Sequence, residues 1–324
     1  MNKWFKIVLL SVVILIIGFL IFQTLFNIYK FNKLNKVYDS KKLSKEDKTT
    51  LKEVYKLRRK YGTEIWPKFD MNIPIIIFNE EYNFLVGNIN NIKNWSLIEK
   101  DEFMGNAYFR SKELKSQAFA VKINGTWAGS MSSLKYLNKD ILLNIRKELP
   151  FPINKLLPYQ LVLKNNDYHV VSIIHEVFHA FQAKNSPVKF NKSQDNYDYD
   201  NQYPYRNKNL NTFLTKEGKT LNKALNEEND NKKLKYIKQF IDLRKKRRQM
   251  LSERNISFEQ NYEWLEGLAK YVEIKAYQIA NDNSDKLECK YKEDLSYWQT
   301  DFNNLDKLGE LDSEYRFYLS GMAQ

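Results

Sequence analysis

The chain opens on an unbroken apolar run. Ile7 to Phe22 carries no charge, and only Ser11 and Gly18 interrupt its hydrophobicity. Extended from Trp4 to Phe26, the run has the roughly 20 residues needed to cross a bilayer, so residues 4–26 are expected in lipid. Residues 27 to 43 are polar and lysine-rich, as in a stalk. Ser44 with Asp47 three positions on forms a capping-box pattern. It predicts a helix with Leu51, Val54, Tyr55 and Leu57 on its apolar side, ending near Gly62. Short apolar runs follow at Ile73–Phe78 and Phe84–Val86. Ala118, Phe119, Ala120, Val121, Lys122 and Ile123 alternate in the period of a strand and stop at Asn124-Gly125. From Tyr168 to Ala183 apolar residues cover nearly every side of a helix, which marks it as buried, with Asn165, Asn166 and Asp167 offering cap oxygens ahead of it. Asn185 to Asn209 has little apolar pattern and reads as an exposed loop. Helical spacing returns over Leu210–Asn226 and Leu234–Glu253, again from Glu263 to about Ile279, and over Asp285–Leu305 with Leu295, Trp298 and Phe302. The aromatic cluster Tyr315, Phe317 and Tyr318, followed by Gly321-Met322-Ala323-Gln324, reads as the first turn of another helix, as a shortened C-terminus would look. The pattern predicts an α+β chain, mostly helical, with a small sheet behind an N-terminal transmembrane helix.

Composition narrows this picture. Glycine and proline are scarce in 324 residues, which argues against disordered and repeat architectures. About 290 residues remain after the apolar segment, enough for one large or two small domains. Lys3 and Lys6 precede the apolar run as in a signal sequence, yet Phe19 to Tyr29 offers only bulky or polar residues, so an uncleaved signal-anchor over residues 1–29 is expected. Lys30, Lys33 and Lys36 nearly balance the positive charge on the other flank, and a large folded domain can translocate regardless. The folded part is therefore expected outside the cytoplasm. One cysteine excludes an intramolecular disulfide. The net charge of +13 and the run Arg244-Lys245-Lys246-Arg247-Arg248 invite a nucleic-acid reading. No nucleic-acid-binding module accompanies the run, so it is read as a solvated helix face and no nucleic-acid partner is expected.

Histidine usage carries the chemistry. The chain has three histidines, His169, His175 and His179, and the last two frame a glutamate as His175-Glu176-Val177-Phe178-His179. Residues four apart share a helix face, so both imidazoles can reach one metal ion. Glu176, beside the first ligand, can then act as general base on a water at the metal's open side. A buried helix must also satisfy these polar groups, and a divalent cation does so. His169 lies on a different face and is read as structural. No histidine remains downstream, so a third ligand should be a carboxylate. The best candidate segment is Glu263-Trp264-Leu265-Glu266-Gly267-Leu268-Ala269-Lys270-Tyr271-Val272-Glu273, where Glu266 is preferred and Glu263 and Glu273 are the alternatives. Small residues beside Glu266 would let two helices approach closely.

These two blocks resemble the gluzincin metallopeptidases, in which H-E-x-x-H is followed by a helix of the type W-L-x-E-G-x-A-x-Y-x-E. The resemblance implies a zincin-like catalytic domain over residues 63–324, after a stalk and helix at 30–62. It implies one zinc ion held by His175, His179 and Glu266, with Glu176 as general base and Glu273 orienting a histidine. It further implies a peptide or protein substrate hydrolysed by a glutamate-activated water. Tyr315 or Tyr318 would supply an oxyanion-stabilising phenol, and the strand Ala118–Ile123 would pair with extended substrate. The likeness covers about thirty residues. It departs from compact aminopeptidase members in the long stretch between the motifs, where residues 185–256 are expected to form a loop and helical insertion.

Overall fold

The computed structural model describes residues 3–35, 40–69, 72–89, 92–195, 197–287 and 302–324. Helix α1, Lys3–Asn35, carries the apolar run and is long and apolar enough to cross a membrane. Helix α2, Lys45–Ile65, starts at the expected capping box: Asp47 N–H donates to the Ser44 hydroxyl and Ser44 N–H to the Asp47 carboxylate. Six strands follow, β1 Ile75–Phe78, β2 Asn83–Val86, β3 Ser96–Leu97, β4 Phe109–Ser111, β5 Phe119–Ile123 and β6 Thr126–Ser132. They form one mixed sheet in the order β3-β4-β2-β1-β6-β5, with β1 and β6 parallel and the other pairs antiparallel.

The strand expected over 118–123 is an edge strand. It is joined to β6 by the two-residue turn Asn124-Gly125, where both residues have positive φ (45° and 87°). Side chains alternate across the sheet. Ile75, Ile77, Phe84 and Val86 face the main core, whereas Ile76, Leu85, Ile123 and Ala128 form a smaller cluster on the other face.

The rest is helical: α3 Leu134–Glu148, α4 Ile153–Leu156, α5 Asn166–Asn185, α6 Pro187–Gln194, α7 Lys208–Asn226, α8 Asp230–Arg248, α9 Glu253–Tyr262, α10 Leu268–Asp282 and α11 Tyr315–Met322. Asn165 caps α5, its side chain accepting from Tyr168 N–H at 2.9 Å. α5 lies at the centre, against β5 and β6 on one side and α2 and α10 on the other. The approach to the sheet is close because Gly129 of β6 has no side chain. A Cβ there would stand 2.6 Å from the Val177 Cα.

Several expectations need correction. Residues 185–209 are not an exposed loop. They hold α6 and a 3-10 segment, Tyr197–Gln202, with Phe190, Ser193, Tyr199 and Tyr203 buried. Tyr199 and Tyr203 pack with Phe258, Tyr262 and Phe317 in a cluster of their own. Nor is the arginine run a solvated face. Arg247 is fully buried, with its guanidinium on Glu217 and Glu259, and Arg244 is bidentate on Glu263. Only Lys245 and Lys246 point to solvent. The second motif is helical as expected, but it carries a π turn: Glu263–Gly267 widens the helix where α9 runs on into α10. The helix expected over Asp285–Leu305 lies mostly outside the described residues; its start is a single 3-10 turn at Ser284–Lys286, and Leu305–Glu310 is 3-10.

Candidate active site

The α-helical repeat of α5 brings His175 and His179 onto one face, with their Nε2 atoms 3.1 Å apart. The π turn brings the third group. Glu266 Oε2 stands 3.5 Å from His175 Nε2 and 3.4 Å from His179 Nε2. A π turn inserts one extra residue into a helix and frees carbonyl groups, a feature often found at functional sites. Here Gln182 of α5 collects them: its Nε2 donates to the Trp264 and Leu265 carbonyls at 2.7 and 3.1 Å. On the other side of the turn, Gly267 meets Gly321 of α11, where an added Cβ would come within 2.5 Å of the Gly321 Cα. The small residue beside Glu266 thus accommodates α11 rather than α5.

Hydrogen bonds set the orientation of both imidazoles. His175 Nδ1–H donates to Glu273 Oε2 at 3.0 Å, and His179 Nδ1–H donates to Gln182 Oε1 at 3.0 Å. With each Nδ1 serving as donor, both Nε2 lone pairs turn inward toward the Glu266 oxygen. Two lone pairs and a carboxylate at such distances repel unless positive charge lies between them. In the free cluster a proton supplies that charge. Burial opposes it, but Glu266 and Glu273 raise His175 to about 10. Burial likewise works against the Glu266 charge, and His179 and His175 hold that carboxyl well below the usual range.

Three donors bound to one cation by 2.0–2.1 Å bonds at tetrahedral angles stand about 3.3–3.4 Å apart. The observed triangle of 3.1, 3.4 and 3.5 Å fits that spacing. The buried His175–His179–Glu266 group could hold a metal ion.

Glu176 lies in the same cleft with its Oε2 buried and without a partner among the described residues. Burial raises its pKa against the pull of both histidines. Glu273 is braced from behind by the buried Lys270, whose Nζ donates to Oε1 at 3.2 Å. The alternative ligand Glu263 points elsewhere: it binds Arg244 and accepts from Ser320 Oγ at 2.6 Å. His169 is structural, donating from Nε2 to the Ser132 carbonyl at 2.7 Å.

The cleft has a volume of about 460 Å³ and is lined by Gln117, Ala118 and Phe119 at the start of β5, with Gln194, Tyr197 and Tyr318 opposite. Tyr318 reaches Glu266, while Tyr315 packs behind it with ring centroids 5.7 Å apart. Tyr197, from the segment expected to be a loop, donates to Glu266 Oε1 at 2.5 Å. Burial and the Glu266 charge push both phenols far above the ordinary tyrosine range, so each stays protonated as a donor. Sequence reasoning missed Tyr197 and Gln182. A glutamine three residues after His179, on a helix read as buried, was the available signal for Gln182; nothing singled out Tyr197 among 21 tyrosines.

No protein-family profile, curated protein or solved structure matches the chain.

Proposed function

We propose that the chain is a membrane-anchored, zinc-dependent peptidase of the gluzincin type, with its catalytic domain on the extracytoplasmic side. One observation carries this reading. Two inward-facing imidazole Nε2 atoms and a carboxylate oxygen form a buried triangle, and beside it Glu176 presents a buried oxygen with no partner among the described residues. Two imidazoles with one carboxylate are a donor set suited to zinc and other first-row metals rather than calcium or magnesium. His175, His179 and Glu266 would hold the ion. When bound, zinc supplies a Lewis acid that lowers the pKa of water from about 16 towards about 7.

The remaining roles belong to the chain. Glu176 accepts the proton of the attacking water and passes it to the leaving nitrogen. Tyr318, protonated and facing the cleft, donates to the developing oxyanion. Tyr197 occupies the second oxygen of Glu266 and keeps Oε2 directed at the histidines. The edge strand β5 enters the cleft at Phe119, and an extended peptide can add to its outer side through backbone hydrogen bonds. That open edge favours a peptide over a compact small molecule as substrate.

The test is Glu176→Gln in the full-length chain. Zinc content should stay at the wild-type level while peptide turnover falls by about 10²–10⁴-fold, the usual worth of a general base. Turnover surviving the change would remove Glu176 from its role. A zinc-loaded wild type inactive on broad peptide libraries would favour an anchored metal-binding protein without catalysis.

A further inference from the structure

We infer that the segment joining α3 to α5 is a second membrane contact, whose apolar tips enter the bilayer interface where α1 leaves it. This rests on the reading of α1 as a membrane span. The first observation is a clamp between the two. Asn27 Nδ2 donates to the carbonyls of Lys155 and Leu157 at 2.6 and 2.9 Å, and Asn27 Oδ1 accepts from Tyr159 N–H at 3.3 Å. Gln23, one turn earlier, donates to the same oxygen at 2.9 Å, and both polar side chains are buried. The Arg146 guanidinium covers the Phe31 ring at 3.3 Å. The segment therefore grips α1 at Asn27, and the last turn of α3 grips it one turn further on, at Phe31.

The second observation is the height of that grip. A helix from Trp4 to Phe26 rises about 34 Å at 1.5 Å per residue, against a hydrocarbon thickness of about 30 Å. Asn27 thus falls at the exit level, and Gln23 within the last turn of the span. The clamp gives Asn27 partners that lipid would not, and Asn27 in turn accepts from Gln23.

The third observation is what the segment turns outward. Phe151 and Leu161 are each 76% exposed and Ile153 is 52% exposed, with none covered among the described residues. Phe151 and Ile153 lie four and two residues from Lys155, and Leu161 lies four from Leu157. None can be more than about 14 Å along the chain from the carbonyls that hold Asn27. Lys155 Nζ stands 5.9 Å from the centroid of the Phe151 ring, Arg146 and Lys147 occupy the last turn of α3 just before it, and Lys30 and Lys33 stand on the turns of α1 that follow Asn27. Apolar side chains at the exit level with a basic rim match an interface of acyl chains below and phosphate headgroups above. The surface is continuous with the membrane helix, so the occupant is the bilayer. Two contacts rather than one fix the tilt of the domain, and with it the height of the cleft above the membrane.

The experiment uses the full chain in phosphatidylcholine–phosphatidylglycerol vesicles, with Cys289→Ser removing the one native thiol. Bimane is attached after Phe151→Cys, Ile153→Cys, Leu161→Cys or Leu15→Cys. We expect labels at 151, 153 and 161 to be blue-shifted, quenched by lipids bearing a nitroxide near the headgroup, and shielded from iodide. The label at 15 should be quenched by nitroxides deep in the chains. Loop labels open to iodide while the label at 15 is lipid-buried would overturn the inference and leave the anchor intact. A label at 15 in water would remove the anchor reading, and the inference with it.

Discussion

Gln182 joins the two halves of the site, holding His179 through one atom and the Glu266-bearing turn through another. Gln182→Leu keeps the shape but leaves the His179 Nδ1 and two carbonyls without their partner. Zinc affinity in a chelator competition should fall about 10–100-fold, the usual effect of losing a group that orients a ligand. Unchanged affinity would mean that packing alone orients His179. A second residue-scale expectation concerns His169, whose burial lowers its pKa from 6.5 to about 4. The neutral ring stabilises the fold fully above pH 6.5, and that contribution is lost as the pH falls towards 4. The loss amounts to about 3 kcal/mol. Thermal melts in mild detergent should show the wild type losing ground to His169→Gln across that window; a constant difference would contradict the assignment. At this scale His175, Glu176 and His179 were legible because helical spacing alone puts them together. The roles of Gln182 and Tyr197 were not, because each depends on groups more than sixty positions away in the chain.

The π turn is the element on which the site depends, and it is held in place by contact with α11. Gly321 meets the backbone of Glu263 as closely as Gly267 meets Gly321, with an added Cβ 2.5 Å from the Glu263 carbonyl. Gly267→Ala must push α11 away and should cost about 1–3 kcal/mol, as overpacking does. A lowered unfolding midpoint checks this against Gly18→Ala, where nothing lies within 4 Å of the new Cβ; equal midpoints would contradict it. Sequence periodicity foresaw the buried α5, the capped α2 and the strand at 119–123, because each follows a local rule; the edge position of that strand is a matter of sheet order, which alternation does not carry. Periodicity read Glu263–Ile279 as helix, which it is, but did not see the π turn at Glu263–Gly267, because an extra residue in a turn leaves the apolar stripe nearly intact. It read residues 185–209 as loop because their apolar surface is tyrosine. The rings of Tyr199 and Tyr203 are buried, and their hydroxyls bind Asn255 and Glu259.

Across the whole molecule, a sheet edge, a central metal-capable helix and a returning π turn are assembled behind one apolar helix. Helices α7 and α8, between the two motifs, are tied to this unit by charge. Glu217, Glu259 and Glu263 neutralise Arg244 and Arg247 in the interior, a three-dimensional pairing that a run of basic residues in sequence cannot reveal. The central claim is that donors from α5 and the distant turn meet on one metal. Zinc analysis of the purified full-length protein, wild type beside Glu266→Ala, tests it most directly. Equimolar zinc in the wild type and its loss in the variant is the predicted result. A wild type without metal, or a variant that keeps its zinc, would contradict it.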